Sequence, residues 1–101
     1  MPDKDHKRAE REICVDLGGS RSGPLGFNSP DCIGTPGIAV EVKLVPGFRL
    51  RSSWLNQAKL NAREDEWVLI QKQRMTGQKI VTLDYKFFKE LYNLYLQERS
   101  Q

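Results

Sequence analysis

Apolar and polar side chains alternate from Ile38 to Val45. Because successive side chains of a β-strand point to opposite faces, this alternation predicts a strand. Glu41 and Lys43 project from the same face of that strand, about 7 Å apart. A turn marked by glycine and proline connects Asp31 to the strand. We expect this turn to bring the carboxylate of Asp31 close to that of Glu41.

The N-terminal segment has the spacing of an amphipathic helix. Ala9, Ile13 and Leu17 recur every four residues and form one apolar stripe. Asp3 or Asp5 is expected to cap the start of this helix, and the two glycines after Leu17 are expected to end it.

Glu10 and Glu12 are the two carboxylates of this helix that bear on function. At about 100° per residue, Glu10 falls inside the apolar stripe and Glu12 points away from it. A buried carboxylate is costly unless something pairs with it. We therefore predict that Glu10 faces a metal-bound water or a basic group and that Glu12 is a solvated surface residue. A small error in helix phase would exchange the two.

Residues 18–37 have the composition of a loop, with six glycines and three prolines. A short strand is expected within this loop at residues 32–33. Glycine backbone amides can approach phosphates closely, and Ser20, Arg21 and Ser22 are suitable hydrogen-bond donors. We predict that these three residues bind DNA.

A second helix is predicted over roughly residues 54–63, with Ser52 or Ser53 as its cap. Gln57 borders the apolar stripe of this helix and is a candidate to reach the active edge of the sheet. The stripe consists of Trp54, Ala58 and Ala62.

The C-terminal part of the chain predicts two strands and a helix. Glu66–Gln73 and Lys79–Leu83 are rich in β-branched and apolar residues, and the short linker containing Gly77 favours an antiparallel hairpin. Asp84 is predicted to cap a terminal helix whose apolar and aromatic residues cover more than half of its circumference. A face this wide serves the core alone, or the core and a homodimer contact.

Length and composition indicate one domain, residues 1–101, with a small core and a water-exposed surface. No apolar segment approaches the ~18 residues of a membrane span, and the charged N-terminus lacks the apolar run of a signal peptide. We therefore expect a cytoplasmic protein without a membrane partner. Cys14 and Cys32 show neither metal-ligand nor redox spacing, so we expect two reduced thiols packed as small hydrophobic side chains.

The net charge of +3, from 16 Lys and Arg against 13 Asp and Glu, is a mild basic bias. The position of the bases is more informative than their number. Arg49 and Arg51 flank the loop after the central strand. Like Arg21, they are predicted to neutralise DNA phosphates near Asp31 and Glu41.

Several motifs together resemble the PD-(D/E)XK nuclease superfamily, and within it the small Holliday junction resolvases of archaea and phages. The resemblance covers about residues 8–83 and is carried by Pro30-Asp31, Glu41-Val42-Lys43, Glu10-Arg11-Glu12-Ile13, Gly19-Ser20-Arg21-Ser22-Gly23 and Trp54-x-x-Gln57-Ala58. It implies an α/β fold with a restriction-endonuclease-like core of the αβββαβ type. In that core, helices flank a central mixed β-sheet, and a C-terminal helix follows it.

The resemblance also implies a metal centre. Asp31 and Glu41, with the backbone carbonyl of Val42, would hold one or two Mg²⁺ ions, for which Mn²⁺ would substitute. Glu10 would bind the metal through water. Clustered carboxylates repel each other unless a cation neutralises them, which favours metal binding. No small-molecule cofactor is implied.

Two further residues have roles implied by the resemblance. Lys43 would orient the attacking water or help to deprotonate it, and would offset charge in the transition state. Gln57 would help to fix Lys43 or the nucleophile.

The implied function is a Mg²⁺-dependent endodeoxyribonuclease that resolves four-way (Holliday) junctions in DNA recombination and repair. One chain supplies one active site, so paired symmetric cuts in branched DNA imply a homodimer. The implied location is the cytoplasm of a bacterial, archaeal or phage-infected cell. The alternatives are a nicking or restriction-type endonuclease on duplex DNA and a non-catalytic DNA-binding module with the same fold.

Overall fold

The structure is a computed structural model that describes residues 4–23 and 29–100 of the chain. Asp3, one of the two predicted helix caps, lies outside the described residues. The described helices and strands, in chain order, are α1 (Lys4–Asp16), β1 (Ser20–Arg21), β2 (Cys32–Ile33), β3 (Ile38–Val45), α2 (Ser52–Ala62), β4 (Glu66–Gln73), β5 (Lys79–Leu83) and α3 (Tyr85–Arg99).

The main sheet has three strands in the order β3-β4-β5. Strands β3 and β4 are parallel and are connected through α2, whereas β4 and β5 form the predicted antiparallel hairpin. The fold is therefore α/β with a mixed sheet and a C-terminal helix, and the bounds predicted for these three strands are confirmed. Strands β1 and β2 form a separate antiparallel pair of two residues each.

Two glycines end α1, as the sequence predicts. The amide of Gly18 donates to the carbonyl of Val15, and the amide of Gly19 donates to the carbonyl of Cys14, both at 2.9 Å. With Gly18 at φ +87°, these bonds form a Schellman motif. The chain next passes so close to β2 that a Cβ atom on Gly19 would collide with the carbonyl oxygen of Ile33.

The apolar stripe predicted for α1 is correct for Ala9 and Ile13, which are buried, but wrong for Leu17, which is 50% exposed. The helix ends at Asp16, so Leu17 lies in the turn that leaves the core. Cys14 completes the buried face instead.

Cys14 and Cys32 form a disulfide, so the expectation of two separate thiols is wrong. The two cysteines are 18 positions apart in the sequence, and this spacing does not predict that they pair. The turn after α1 and the β1–β2 pair bring their Cα atoms to 5.4 Å, which is within the range of disulfides.

The core lies between α1 and one face of the main sheet, where Val40 and Val42 of β3 are almost fully buried. The opposite face of β3 is turned towards α2. The buried core cluster consists of Ala9, Ile13, Cys14, Cys32, Val40, Val42, Val68, Ile70 and Phe87.

Helix α2 begins at Ser52 and follows Arg51, so the prediction that Ser52 or Ser53 precedes it as a cap is wrong. The carbonyl of Arg51 accepts the first helical hydrogen bond, from the amide of Leu55 at 3.2 Å. The predicted stripe is confirmed, because one of its members is half-buried and two are fully buried: Trp54, Ala58 and Ala62.

Asp84 caps α3 as predicted, since its carboxylate accepts a hydrogen bond of 3.0 Å from the amide of Lys86. Phe87 in the first turn of α3 is buried in the core. Phe88 and Tyr95 are 51% and 55% exposed, so the prediction of a helix that serves the core alone is wrong. In the part of the chain that the structure describes, no helix combines the length and apolar character of a membrane span.

We predict that Gly19→Ala lowers the free energy of unfolding by about 2–4 kcal/mol, because the added methyl group meets backbone that cannot move aside easily. Gly47→Ala is the matched control, since a Cβ atom at Gly47 would have open space around it. The control should change stability by less than about 1 kcal/mol. Urea denaturation of both variants measures the difference, and equal stabilities would contradict the close approach of Gly19 to β2.

Candidate active site

Asp31 is held against the outer edge of β3. Its amide donates to the carbonyl of Val40 at 2.8 Å, and its carbonyl accepts from the amide of Ser22 at 2.9 Å. Its carboxylate accepts a hydrogen bond of 2.8 Å from the amide of Val42. The side chain of Asp31 therefore takes the position that an acceptor from a neighbouring strand would occupy.

Glu41 is buried, with 3% of its surface exposed, and meets both α2 and Asp31. The side-chain amide of Asn61 donates to the Oε1 atom of Glu41 at 2.7 Å. The pKa of Glu41 is raised from its usual value near 4.5 to about 7, first by burial and then by the neighbouring charge of Asp31 and a side-chain hydrogen bond with it. The two carboxyl groups that the sequence predicts to be close therefore are in contact.

The pKa of Asp31 is also raised, first by burial and then by the charge of Glu10. The hydrogen bond from Val42 and the charge of Lys43 act in the opposite direction. Glu41 is buried and Asp31 is partly buried, and two such carboxyl groups in contact repel each other when both are ionised unless a cation offsets the repulsion. The raised pKa values therefore favour the protonated form of the pair.

Lys43 on β3 acts electrostatically on this pair, because its charge lowers the pKa values of both Asp31 and Glu41. It is half-buried, and its Nζ atom lies 5.6 Å from the ring centroid of Trp54 on α2. A cation above an indole ring is attracted to the ring face. The structure therefore brings Lys43, Asp31 and Glu41 together, as the sequence predicts.

Glu10 lies on the buried face of α1, with 7% of its surface exposed. The Nε atom of Arg21 donates to its Oε2 atom at 2.8 Å, and Nε2 of His6 lies 3.3 Å from Oε1. Of the two predicted partners for Glu10, the structure therefore provides the basic group. Its charge still acts on Asp31.

Glu12 points away from the site, as its helical phase predicts. Its two oxygens contact Lys72 at 2.6 Å and Lys79 at 2.8 Å, and its hydrogen bond with Lys72 is the main cause of a pKa lowered to about 2. Glu12 is thus an ion-paired surface residue that connects α1 with the β4–β5 hairpin.

Gln57 is exposed on α2, and the polar residue of this helix that reaches Glu41 is Asn61. Asn61 follows Trp54 by seven residues, or two helical turns, and therefore lies closer to the centre of the buried stripe than Gln57. This spacing is the sequence signal that identifies Asn61. The α2 side chain that contacts Lys43 is Trp54.

Two of the three loop residues predicted to bind DNA have partners within the protein. Arg21 is paired with Glu10, and the hydroxyl of Ser22 donates to the carbonyl of Pro30 at 2.8 Å. Ser20 is exposed on β1. Arg21 and Ser22 therefore support the structure around Asp31.

Arg49 and Arg51 are exposed on the segment between β3 and α2. The guanidinium of Arg51 lies 5.4 Å from the ring centroid of Trp54, so Arg51 and Lys43 share one aromatic ring. Arg51 therefore lies near Lys43, whose charge acts on the carboxylate pair.

A cleft of about 550 Å³ opens beside the site. It lies between Pro30, which precedes Asp31, and the last turn of α2, which contains Asn61. Its lining consists of Ser29, Pro30, Asn61, Ala62, Arg63, Glu64 and Asp65.

Within the described residues, no group of three or more His, Cys, Asp or Glu side chains is arranged to hold a metal ion. Asp31 and Glu41 nevertheless form a pair, and the amide of Val42 points at Asp31. The N–H and C=O of one strand residue point to the same side, so the carbonyl of Val42 faces this edge too. Two carboxylates and a carbonyl fit Mg²⁺, which keeps several waters and needs only one or two carboxylates.

No protein-family model, curated protein or solved structure matches this chain.

We predict that the metal-free protein loses stability as the pH rises from about 4.5 to about 7. The folded protein keeps a proton on Glu41 that the unfolded chain releases in this range, so the free energy of unfolding falls through it. The loss should be on the order of 2 kcal/mol after allowance for solvent screening. Urea denaturation at pH 5 and pH 8 without divalent metal measures it.

Glu41→Gln should remove most of this pH dependence, because its amide does not titrate. The matched control is Glu90→Gln, which changes an exposed carboxylate on α3 and should leave the wild-type pH dependence in place. Identical pH dependence in wild type and Glu41→Gln would contradict the contact between the two carboxyl groups.

Proposed function

We propose that this protein is a Mg²⁺-dependent endonuclease that hydrolyses phosphodiester bonds of four-way DNA junctions. The observation that carries the proposal is the contact between the buried carboxyl group of Glu41 and the partly buried one of Asp31, with the charge of Lys43 acting on both. Such a cluster is expensive to build in an apolar core unless a cation compensates it. The resemblance to PD-(D/E)XK nucleases, at these same three residues, assigns the chemistry.

Asp31, Glu41 and the carbonyl of Val42 would hold Mg²⁺ or Mn²⁺, with Glu10 reaching the metal through water. When bound, the metal would act as a Lewis acid that lowers the pKa of a water bound to it and offsets negative charge on the phosphate. Asn61 donates to Oε1 of Glu41 at 2.7 Å, which would leave the other carboxylate oxygen available to the metal.

Lys43 orients the water and offsets negative charge on the phosphate in the transition state. The ring of Trp54 keeps its ammonium group near the carboxylates. Gln57, exposed on α2, is proposed to contact the nucleophile or the DNA once the substrate is bound. Arg49 and Arg51 are proposed to contact the phosphates on either side of the cut.

Two copies of the chain are needed to cut a junction in paired symmetric positions. Helix α3 supports pairing of two copies, because Phe88, Tyr92 and Tyr95 are about half exposed and follow one another at the spacing of four and three residues found in helix pairs. The exposed aromatic and leucine side chains of α3 supply several hundred Å² of apolar area per copy. A standard interface buries roughly 800 Å² per partner.

We predict that Tyr92→Glu converts the dimer into a monomer, because it places a charge inside the apolar contact. Gln97→Glu adds the same charge on the polar side of α3 and should leave the dimer intact. Analytical ultracentrifugation measures the mass of each variant. A wild-type protein that is monomeric at every concentration would contradict the pairing.

The proposed function is tested by cleavage of a synthetic four-way junction and a linear duplex of matched sequence. Wild type should cut the junction in pairs of symmetric positions in the presence of Mg²⁺. Glu41→Gln and Lys43→Ala should lower the rate by about 100-fold or more. The control Glu90→Gln should cut at the wild-type rate.

Other outcomes distinguish the alternatives. Equal cutting of the linear duplex would favour a nicking or restriction-type endonuclease, and binding without cleavage would favour a DNA-binding module. Absence of both binding and cleavage would overturn the proposal. The proposed location is the cytoplasm of a bacterial, archaeal or phage-infected cell, where thiols are kept reduced. Whether Cys14 and Cys32 are oxidised or reduced in the cytoplasm matters for the site, because Cys32 follows Asp31 directly.

A further inference from the structure

One covalent bond ties the segment that carries Asp31 to helix α1. Cys32 follows Asp31 directly, and its sulfur is bonded to that of Cys14 in the last turns of α1. Both cysteines are buried, with 2% and 0% of their surfaces exposed. The position of Asp31 along the edge of β3 therefore depends on the position of α1.

A short strand pairing and hydrogen bonds also hold this segment, including the bond from the hydroxyl of Ser22 to the carbonyl of Pro30. Strand β2 has two residues and pairs only with the equally short β1 within the described sheets. The backbone of Asp31 adds one hydrogen bond to Ser22 and one to Val40. Strands this short are marginal by themselves, so the disulfide is the strongest constraint on the segment.

We propose that the Cys14–Cys32 disulfide is a positioning element for the Asp31 carboxylate, and that its reduction loosens Asp31 from β3 and weakens the metal site. The part that concerns metal rests on the proposed function. The part that concerns the position of the Asp31 carboxylate rests on the hydrogen bond from the amide of Val42 and is independent of catalysis.

The reduction requires a dithiol as co-reactant. One thiolate of the dithiol attacks one protein sulfur, the protein S–S bond breaks, and the other cysteine leaves as a thiolate that takes up a proton. The second thiol of the reductant then attacks the mixed disulfide. The products are two protein thiols and a cyclic disulfide of the reductant, so two electrons and two protons pass to the protein.

Hydrogen exchange of single amides, followed by NMR, tests whether the Asp31 carboxylate stays on β3, and it needs neither metal nor DNA. The amide of Val42 reports on Asp31, because it donates to that carboxylate. Leu69, fully buried in the central strand β4, reports on the global stability of the fold. Oxidised protein, dithiothreitol-reduced protein and the double variant Cys14→Ala/Cys32→Ala are compared.

Reduction should lower the protection of the Val42 amide by about 10-fold or more, with a much smaller change at Leu69. Reoxidation should restore the protection, and the double variant should behave like the reduced protein with or without dithiothreitol. Unchanged protection at Val42 would overturn the proposal. An equal loss at Val42 and Leu69 would overturn it too, because the disulfide would then act only on global stability.

Titration with Mn²⁺ alone, after removal of the reductant under argon, tests the effect on the site. The oxidised protein should bind Mn²⁺ at least about 5-fold more tightly than the reduced protein. Equal affinities would overturn the effect on the metal site. If neither form binds Mn²⁺ while the Val42 amide responds to reduction, the proposed function fails and the positioning role of the disulfide stands.

Discussion

The hydrogen bond from the amide of Val42 to the carboxylate of Asp31 is the contact on which the site depends. Strand β3 lies at the edge of the main sheet, so the outward-facing amides of this strand need an acceptor. Asp31 supplies one, and the same contact brings its carboxyl group to that of Glu41. One hydrogen bond therefore satisfies an amide at the edge of the sheet and also sets the arrangement of the acidic pair.

The electrostatic state of the pair follows from burial more than from any single neighbour, since burial is the largest cause of the raised pKa of both Asp31 and Glu41. Asn61 and Lys43 offset part of this cost for Glu41, and Val42 does so for Asp31. The cost that remains raises the pKa values of both groups and so favours their protonated forms.

Local patterns in the sequence predict the parts of this structure that local physics determines. The alternation in β3 gives its bounds and the shared face of Glu41 and Lys43, and helical phase separates Glu10 from Glu12. The disulfide, the pairing of Arg21 with Glu10 and the exposure of α3 depend on tertiary packing. Hydrophobic periodicity shows how wide an apolar face is, but it does not show what covers that face.

The central claim is that the Asp31–Glu41 pair is a metal site. It is tested most directly by isothermal titration of the oxidised protein with Mn²⁺ at pH 8, where the pair is ready to lose its proton. The wild type should bind one or two ions saturably, and Asp31→Asn should bind them at least about 10-fold more weakly. Absence of binding by the wild type, or equal affinity in both proteins, would contradict it.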